Sequence, residues 1–244
     1  MDDAALASHL AYEAGILLME HRVALSHSLT GKDLGKAGDL VANRFLCDAI
    51  REQRPDDGLL SEEEKDDAAR LSKSRVWIID PVDGTREYGE GRTDWAVHVA
   101  LAIDGRPAIG AVALPGLDLV LRTDQPQPLR AGAAVPRMVV SRTRPAKEAL
   151  TVAEAIGAQL IPMGSAGAKA MAIVRGEAEI YLHTGGQFEW DSCAPAAVAM
   201  SYGLHVSRVD GSPLIYNQAD VYMPDLLICR PEWADRVLEL TSNS

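Results

Sequence analysis

At 244 residues the chain has room for one large domain or two smaller ones, and 47% hydrophobic content supports a substantial core. A net charge of −11 argues against a nucleic-acid polymer held on a general basic surface. It does not exclude a small phosphorylated molecule, provided metal ions reverse the sign locally. Three widely spaced cysteines (Cys47, Cys193, Cys229) without a CxxC pair, and the acidic start MDDAALASHL, fit a reducing cytoplasm. No run of roughly 18 apolar residues predicts a membrane span.

Leu6, Leu10, Ala14, Leu17 and Leu18 recur at helical spacing, predicting an amphipathic helix over 3–25. A second helix is expected over 39–53, with Asp39 as its N-cap and "RPDDG" ending it. The acidic "LLSEEE" that follows is, taken alone, a solvated face. From Val76 the texture turns to short β-rich segments, "VWIID", "WAVHVALAI", "AIGAVALP", "DLVLR" and "RMVVS". Two of them make a hairpin over 97–113 through Asp104-Gly105.

After Pro145, helices (146–158, 165–175, 191–202, 231–240) alternate with strands (160–163, 178–183, 226–229). Asp191 opens the third of these helices, where an aspartate N-cap offsets unpaired N–H groups. The first half therefore reads as α+β with an antiparallel sheet and the second as α/β, with a seam near 135–145. The corresponding subdomains are 1–140 and 141–244.

One stretch asks for more than packing. In "WIIDPVDGTREY" an apolar run ends in Asp80 and Asp83 around Pro81. Pro81 turns the chain out of a ladder, so both carboxylates and the Val82 carbonyl can point to one side. Gly84 permits a positive φ or a close ligand, and Thr85 offers a hydroxyl and an N–H. So many oxygens suit a hard divalent cation, magnesium above all; a structural Asp-Pro-x-Asp-Gly turn is the plain alternative.

Taken together, "LLSEEE", "DPVDGTREY" and "EWDSCAP" resemble the three signature blocks of the magnesium-dependent, lithium-sensitive phosphatase superfamily. That group includes inositol monophosphatases, fructose-1,6-bisphosphatases and 3'(2'),5'-bisphosphate nucleotidases. "DGTREY" and "GSAGAKAMAIVRGEAEIYL" are similar to the nucleotidase branch, the CysQ-like proteins. "VVSRTRP" resembles a Ser-Arg-x-His segment of that branch, with Arg144 where a histidine is common.

The resemblance implies a layered αβαβα sandwich with the metal site between the subdomains. It implies Glu62, Asp80, Asp83 and Asp191, with the Val82 carbonyl, as ligands of two or three Mg2+ ions. Asp39 and Thr85 would activate the attacking water, although the usual Val-Thr-x-x-Asp lead-in is here "LGKAGD". Gly84 and Thr85 would hold the scissile phosphate through their amides, and Ser141, Arg144, Ser165 and Lys169 would contact the nucleotide.

The implied substrate is 3'-phosphoadenosine 5'-phosphate, cleaved to AMP and phosphate in sulfate assimilation, with the sulfated analogue as a second substrate. The alternatives are an inositol or fructose phosphatase on the same site and a non-catalytic metal- or phosphate-binding regulator. A homodimer is expected from the family. The histidines show no metal spacing, and His98, inside a strand, reads as packing. Cys193 reads as a small buried residue, and Arg142, Arg144 and Lys147 form a basic cluster near the seam.

Overall fold

In a computed structural model, which describes residues 1–242, the N-terminal sequence forms two long helices, α1 (Asp3–Leu25) and α2 (Gly31–Gln53). The second helix does not start at residue 39 as expected. It starts at Gly31, after Thr30, and Asp39 lies in its middle on the buried side. Gly35 and Gly38 look like helix breakers in sequence, but they are there for contact. A Cβ on Gly35 would stand 2.6 Å from Thr85 Cγ2, and one on Gly38 2.7 Å from Tyr88 Cε1. Close packing here overrides the low helix propensity of glycine.

The first sheet runs in chain order through β1 (Gly58–Ser61), β2 (Arg75–Asp83), β3 (Ala96–Ile103), β4 (Arg106–Leu114) and β5 (Leu119–Arg122), with the short helix α3 (Thr85–Gly89) after β2. All neighbours are antiparallel except β1 and β2. Strand alternation divides its side chains between two faces. Trp77, Ile79, Val97, Val99 and Leu101 pack on α1 and α2, while Val76, Ile78, Ala96, Ala100 and Val112 face the other way. The expected hairpin turns at Asp104 (φ 49°) and Gly105 (φ 72°), both left-handed, as a tight two-residue turn requires.

The chain continues through β6 (Arg137–Ser141), α4 (Lys147–Ile156), β7 (Gln159–Met163), α5 (Ala166–Val174), β8 (Ile180–His183), β9 (Gln187–Phe188), α6 (Glu189–Ser201), β10 (His205–Ser207), β11 (Tyr222–Met223), β12 (Leu226–Cys229) and α7 (Pro231–Ser242). The second sheet has the order β10-β12-β8-β6-β7, with β6 parallel to β7 and β8, and β9 pairs with β11 as a separate ribbon. Helices α5 and α6 lie between the two sheets in the largest apolar cluster, and α4 and α7 cover the outer face of the second sheet. The layers are therefore αβαβα. No helix among the described residues is long and apolar enough to cross a membrane.

Candidate active site

Strand β2 carries its carboxylates to the edge where the first sheet meets α5 and α6. Asp80 is paired with His98 across β2 and β3, and the register then shifts before Asp83. Pro81, which has no N–H to give a ladder, sits in that irregular step. The Val82 N–H turns back to Asp80 Oδ1 at 3.1 Å. Gly84 follows at φ 92°, a conformation natural to glycine, and α3 starts directly after it. Thr85 Oγ1 lies 3.1 Å from the Val82 carbonyl and 3.3 Å from Asp39 Oδ1. Its single proton serves one of these acceptors at a time.

Asp191 lies inside the first turn of α6. The N-cap is Phe188, whose backbone N–H donates to Asp191 Oδ2 at 2.6 Å. The aspartate thus helps to satisfy the helix terminus from the third helical position, not from the N-cap expected of it. Asp80, Asp83 and Asp191 each offer an oxygen within 4.8 Å of the others. Glu62, immediately after β1, stands exposed at the mouth of this group, and its backbone N–H donates to the Ile79 carbonyl at 3.3 Å.

Crowding shows in the acidities. Burial, then the charges of Glu62 and the neighbouring aspartates, hold Asp80 well above the usual carboxylate range. The protein mass around Glu62, then Asp191 and Asp39, push it to about 8. Burial and Glu63 raise Asp39 to about 7, and burial and Asp83 raise Asp191 to about 6. Among the described residues, no lysine or arginine forms an ion pair with any of these four carboxylates. An all-oxygen set, buried at Asp39 and Asp80 and short of positive charge, fits a hard divalent cation.

Asp83 is the exception. Its Oδ2 accepts from Ser165 Oγ at 2.5 Å and from the Gly167 N–H at 2.5 Å, and its Oδ1 from the Ala166 N–H at 3.0 Å. His98 Nε2 stands 3.1 Å from Oδ2. Burial alone would raise this carboxyl, but the His98 charge and these donors outweigh it and draw it down to about 2.

His98 was assigned to packing by the sequence. It is fully buried in β3, and the fold also sets it against a site carboxylate. One signal was available: in "AVHVALA" the histidine falls on the face otherwise occupied by alanines.

Beside the carboxylates opens a cleft of about 460 Å³ lined by Arg86, Ser141, Arg142, Arg144, Ser165 and Lys169. Ser165, at φ 45°, caps α5 by accepting from the Ala168 N–H at 2.9 Å while donating to Asp83. The Lys169 ammonium is folded inward, donating to the carbonyls of Gly164 (3.0 Å) and Ser165 (2.5 Å), and burial lowers its pKa. Arg142 pairs with Glu87 and Glu90, both at 2.6 Å, and Arg86 with Glu90 at 2.8 Å. Arg144 is exposed, its backbone N–H donates to Ser141 Oγ at 3.2 Å, and its guanidinium has no ion pair among the described residues. Of the basic cluster read from sequence, Arg142 is thus engaged and Arg144 open, while Lys147 starts α4 exposed to solvent.

The sequence profile described as the inositol monophosphatase family matches residues 3–244. The chain is 48% identical to the 3'-phosphoadenosine 5'-phosphate phosphatase of Mycobacterium leprae, over 98% of this chain and 93% of that one. It is 49% identical to the protein of the same name from Mycobacterium bovis, over 93% of this chain and 88% of that one. Inositol monophosphatase II from Staphylococcus aureus superposes with a TM-score of 0.79 over 97% of this chain and 95% of that one, at 22% identity, a likeness of fold.

Proposed function

The chain belongs to the inositol monophosphatase family, and we propose that it is a magnesium-dependent phosphomonoesterase. Its substrate is 3'-phosphoadenosine 5'-phosphate, which loses the 3'-phosphate to leave AMP, removing a by-product of sulfate assimilation. The observation that carries this reading is identity near one half, across almost the whole chain, to proteins named for that activity. The clustered carboxylates supply a chemical reason for it. The enzyme would act in the cytoplasm as a homodimer and would take no nucleic-acid polymer.

Glu62, Asp80, Asp83, Asp191 and the Val82 carbonyl would hold two or three magnesium ions. When bound, these neutralise the phosphate dianion and make a water a strong nucleophile. The chain's own part is proton handling and placement. Asp39, which burial and the Glu63 charge raise above the usual carboxylate range in the metal-free chain, stands where a general base would take the proton. The Thr85 hydroxyl lies between the Val82 carbonyl and Asp39, so it can pass a proton from the site to that carboxylate. The Gly84 and Thr85 amides would donate to the scissile phosphate.

Arg144, the open cation of the cleft, would meet the non-reacting 5'-phosphate, with Ser141 and Ser165 beside the ribose. Lys169 would act by shaping the Gly164–Ser165 loop, since its ammonium is spent on that loop's carbonyls. The test is phosphate release with and without magnesium from adenosine 3',5'-bisphosphate, inositol 1-phosphate and fructose 1,6-bisphosphate. The expected result is a magnesium-dependent kcat/KM highest for the nucleotide, falling roughly 10- to 100-fold in Arg144→Ala, the usual loss for one charge-assisted contact. A sugar phosphate preferred over the nucleotide would overturn the substrate assignment, and no release from any of the three would overturn the activity.

A further inference from the structure

We propose that His98 is a positioning residue that ties the Asp83 carboxylate to the start of α6 and so sets the carboxylate spacing needed for cation binding. The inference rests on the reading of Asp83 as a metal ligand. His98 is 0% exposed, on a strand face it shares with Ala96, Ala100 and Ala102. Packing alone does not account for it there, because an apolar side chain would fill the space without desolvating two ring nitrogens.

The ring's two nitrogens reach two different parts of the site. Nδ1 lies 3.0 Å from the Trp190 carbonyl. A carbonyl only accepts, so Nδ1 carries a proton and donates it. Nε2 stands 3.1 Å from Asp83 Oδ2, a charge contact off hydrogen-bond alignment, and among the described residues it has no hydrogen-bond partner. One rigid ring therefore spans Asp83, at the end of β2, and the residue that immediately precedes Asp191. The third side of its slot is Gly167, where an added Cβ would stand 2.0 Å from Nε2. The Gly167 N–H donates to the same Asp83 oxygen that His98 faces.

Among the described residues this bridge is not duplicated. The other partners of Asp83 (Ser165 Oγ and the amides of Ala166 and Gly167) all belong to α5 and its cap, and none belongs to α6. Three acidic groups within 4.8 Å repel one another when ionised without a cation. Helices α5 and α6 must still present Asp83 and Asp191 at a fixed separation. Groups that orient metal ligands in this way typically affect affinity by about 10- to 100-fold.

The experiment measures divalent-cation binding on the full chain without substrate, using Mn2+ as the probe and the EPR signal of the free ion as the readout. Asp83→Asn serves as the control, and unfolding is followed in parallel in chelator. Expected is a dissociation constant about 10- to 100-fold weaker in His98→Leu. His98→Gln, whose amide reaches Asp83 alone, and His98→Asn, whose amide reaches the Trp190 carbonyl alone, should fall between Leu and wild type.

A His98→Leu dissociation constant within about twofold of wild type, whatever its thermal stability, would overturn the proposal and leave a packing role. Should that variant not fold, wild-type affinity in both the Gln and Asn variants would overturn it equally. Asp83→Asn binding the cation like wild type would instead remove Asp83 as a ligand, and the proposal would fail with that parent reading.

Discussion

Asp80 and Asp83 end the same strand under opposite forces. Asp80 is buried among carboxylates and held well above the ordinary range, whereas Asp83 is fed by Ser165, two amide N–H groups and His98 and drawn down to about 2. Substitution should therefore split them. In chelator at pH 8, Asp80→Asn should raise stability by about 1 kcal/mol by removing an uncompensated buried charge. Asp83→Asn should lower it by about 1–3 kcal/mol, because its amide faces donors that need an acceptor. Both should abolish magnesium-dependent turnover. Equal melting-temperature shifts of the same sign would contradict the separation.

The same crowding fixes a pH dependence. For Asp191, Asp39 and Glu62, at about 6, 7 and 8, the folded values lie above unfolded values of roughly 4. Between those limits the folded state binds more protons, so metal-free stability falls as pH rises from roughly 4 to 8. Excess magnesium, offsetting the charges, should flatten that decline. Melting curves in EDTA and in magnesium that run parallel across the window would count against a cation site here.

At the scale of elements, the informative case is α2. Asp39 as an N-cap predicts a late start, yet three glycines, Gly31, Gly35 and Gly38, lie ahead of it. The helix starts at the first of them, and the second and third let α3 approach closely enough to set Thr85 against Asp39. Gly35→Ala therefore pits two effects against each other. Helix propensity favours alanine by about 1 kcal/mol. The added Cβ, however, meets Thr85 Cγ2 at 2.6 Å and the Thr85 carbonyl at 2.9 Å, and such overpacking costs about 1–3 kcal/mol. Packing should win. The variant should melt lower and lose kcat more than KM, since the Asp39–Thr85 pair moves apart; a stabilised, fully active variant would show that α2 yields freely.

Across the whole molecule, the sheets are joined through the shared helices and through the segment 123–136, which is pinned by one buried carboxylate. Glu179 accepts from the Ala133 N–H (3.1 Å), the Arg137 N–H (2.7 Å) and the Arg137 guanidinium (2.8 Å). Burial alone would raise its pKa, but Arg137 outweighs burial and the net shift is downward. Glu179→Gln should cost on the order of 3 kcal/mol at pH 7, as breaking a buried pair does. The folded pKa is the lower one, so this contribution is present above the unfolded value of roughly 4.3 and is lost as pH falls through the folded value. The gap between wild type and variant in denaturant unfolding should thus close toward pH 3; a gap constant with pH would assign the loss to packing instead.

Local chemistry was enough to read much of this chain. Apolar periodicity marks α1, the β3–β4 hairpin and the alternating second half, because burial must follow the 3.6- and 2-residue repeats of helix and strand. The spacing of "DPVDGT" and "EWD", with the resemblance it carries, points to a metal phosphatase because hard cations need clustered oxygens. The tertiary structure decided what depends on partners distant in sequence. It put Asp39 within a helix whose glycines only make sense against α3. It turned Lys169 into its own loop and left Arg144 open, and it joined His98 to Trp190 across 92 positions of chain while setting the same ring against Asp83. A hydrogen bond needs its partner within about 3 Å. No residue in the sequence records which distant atom the fold will bring there.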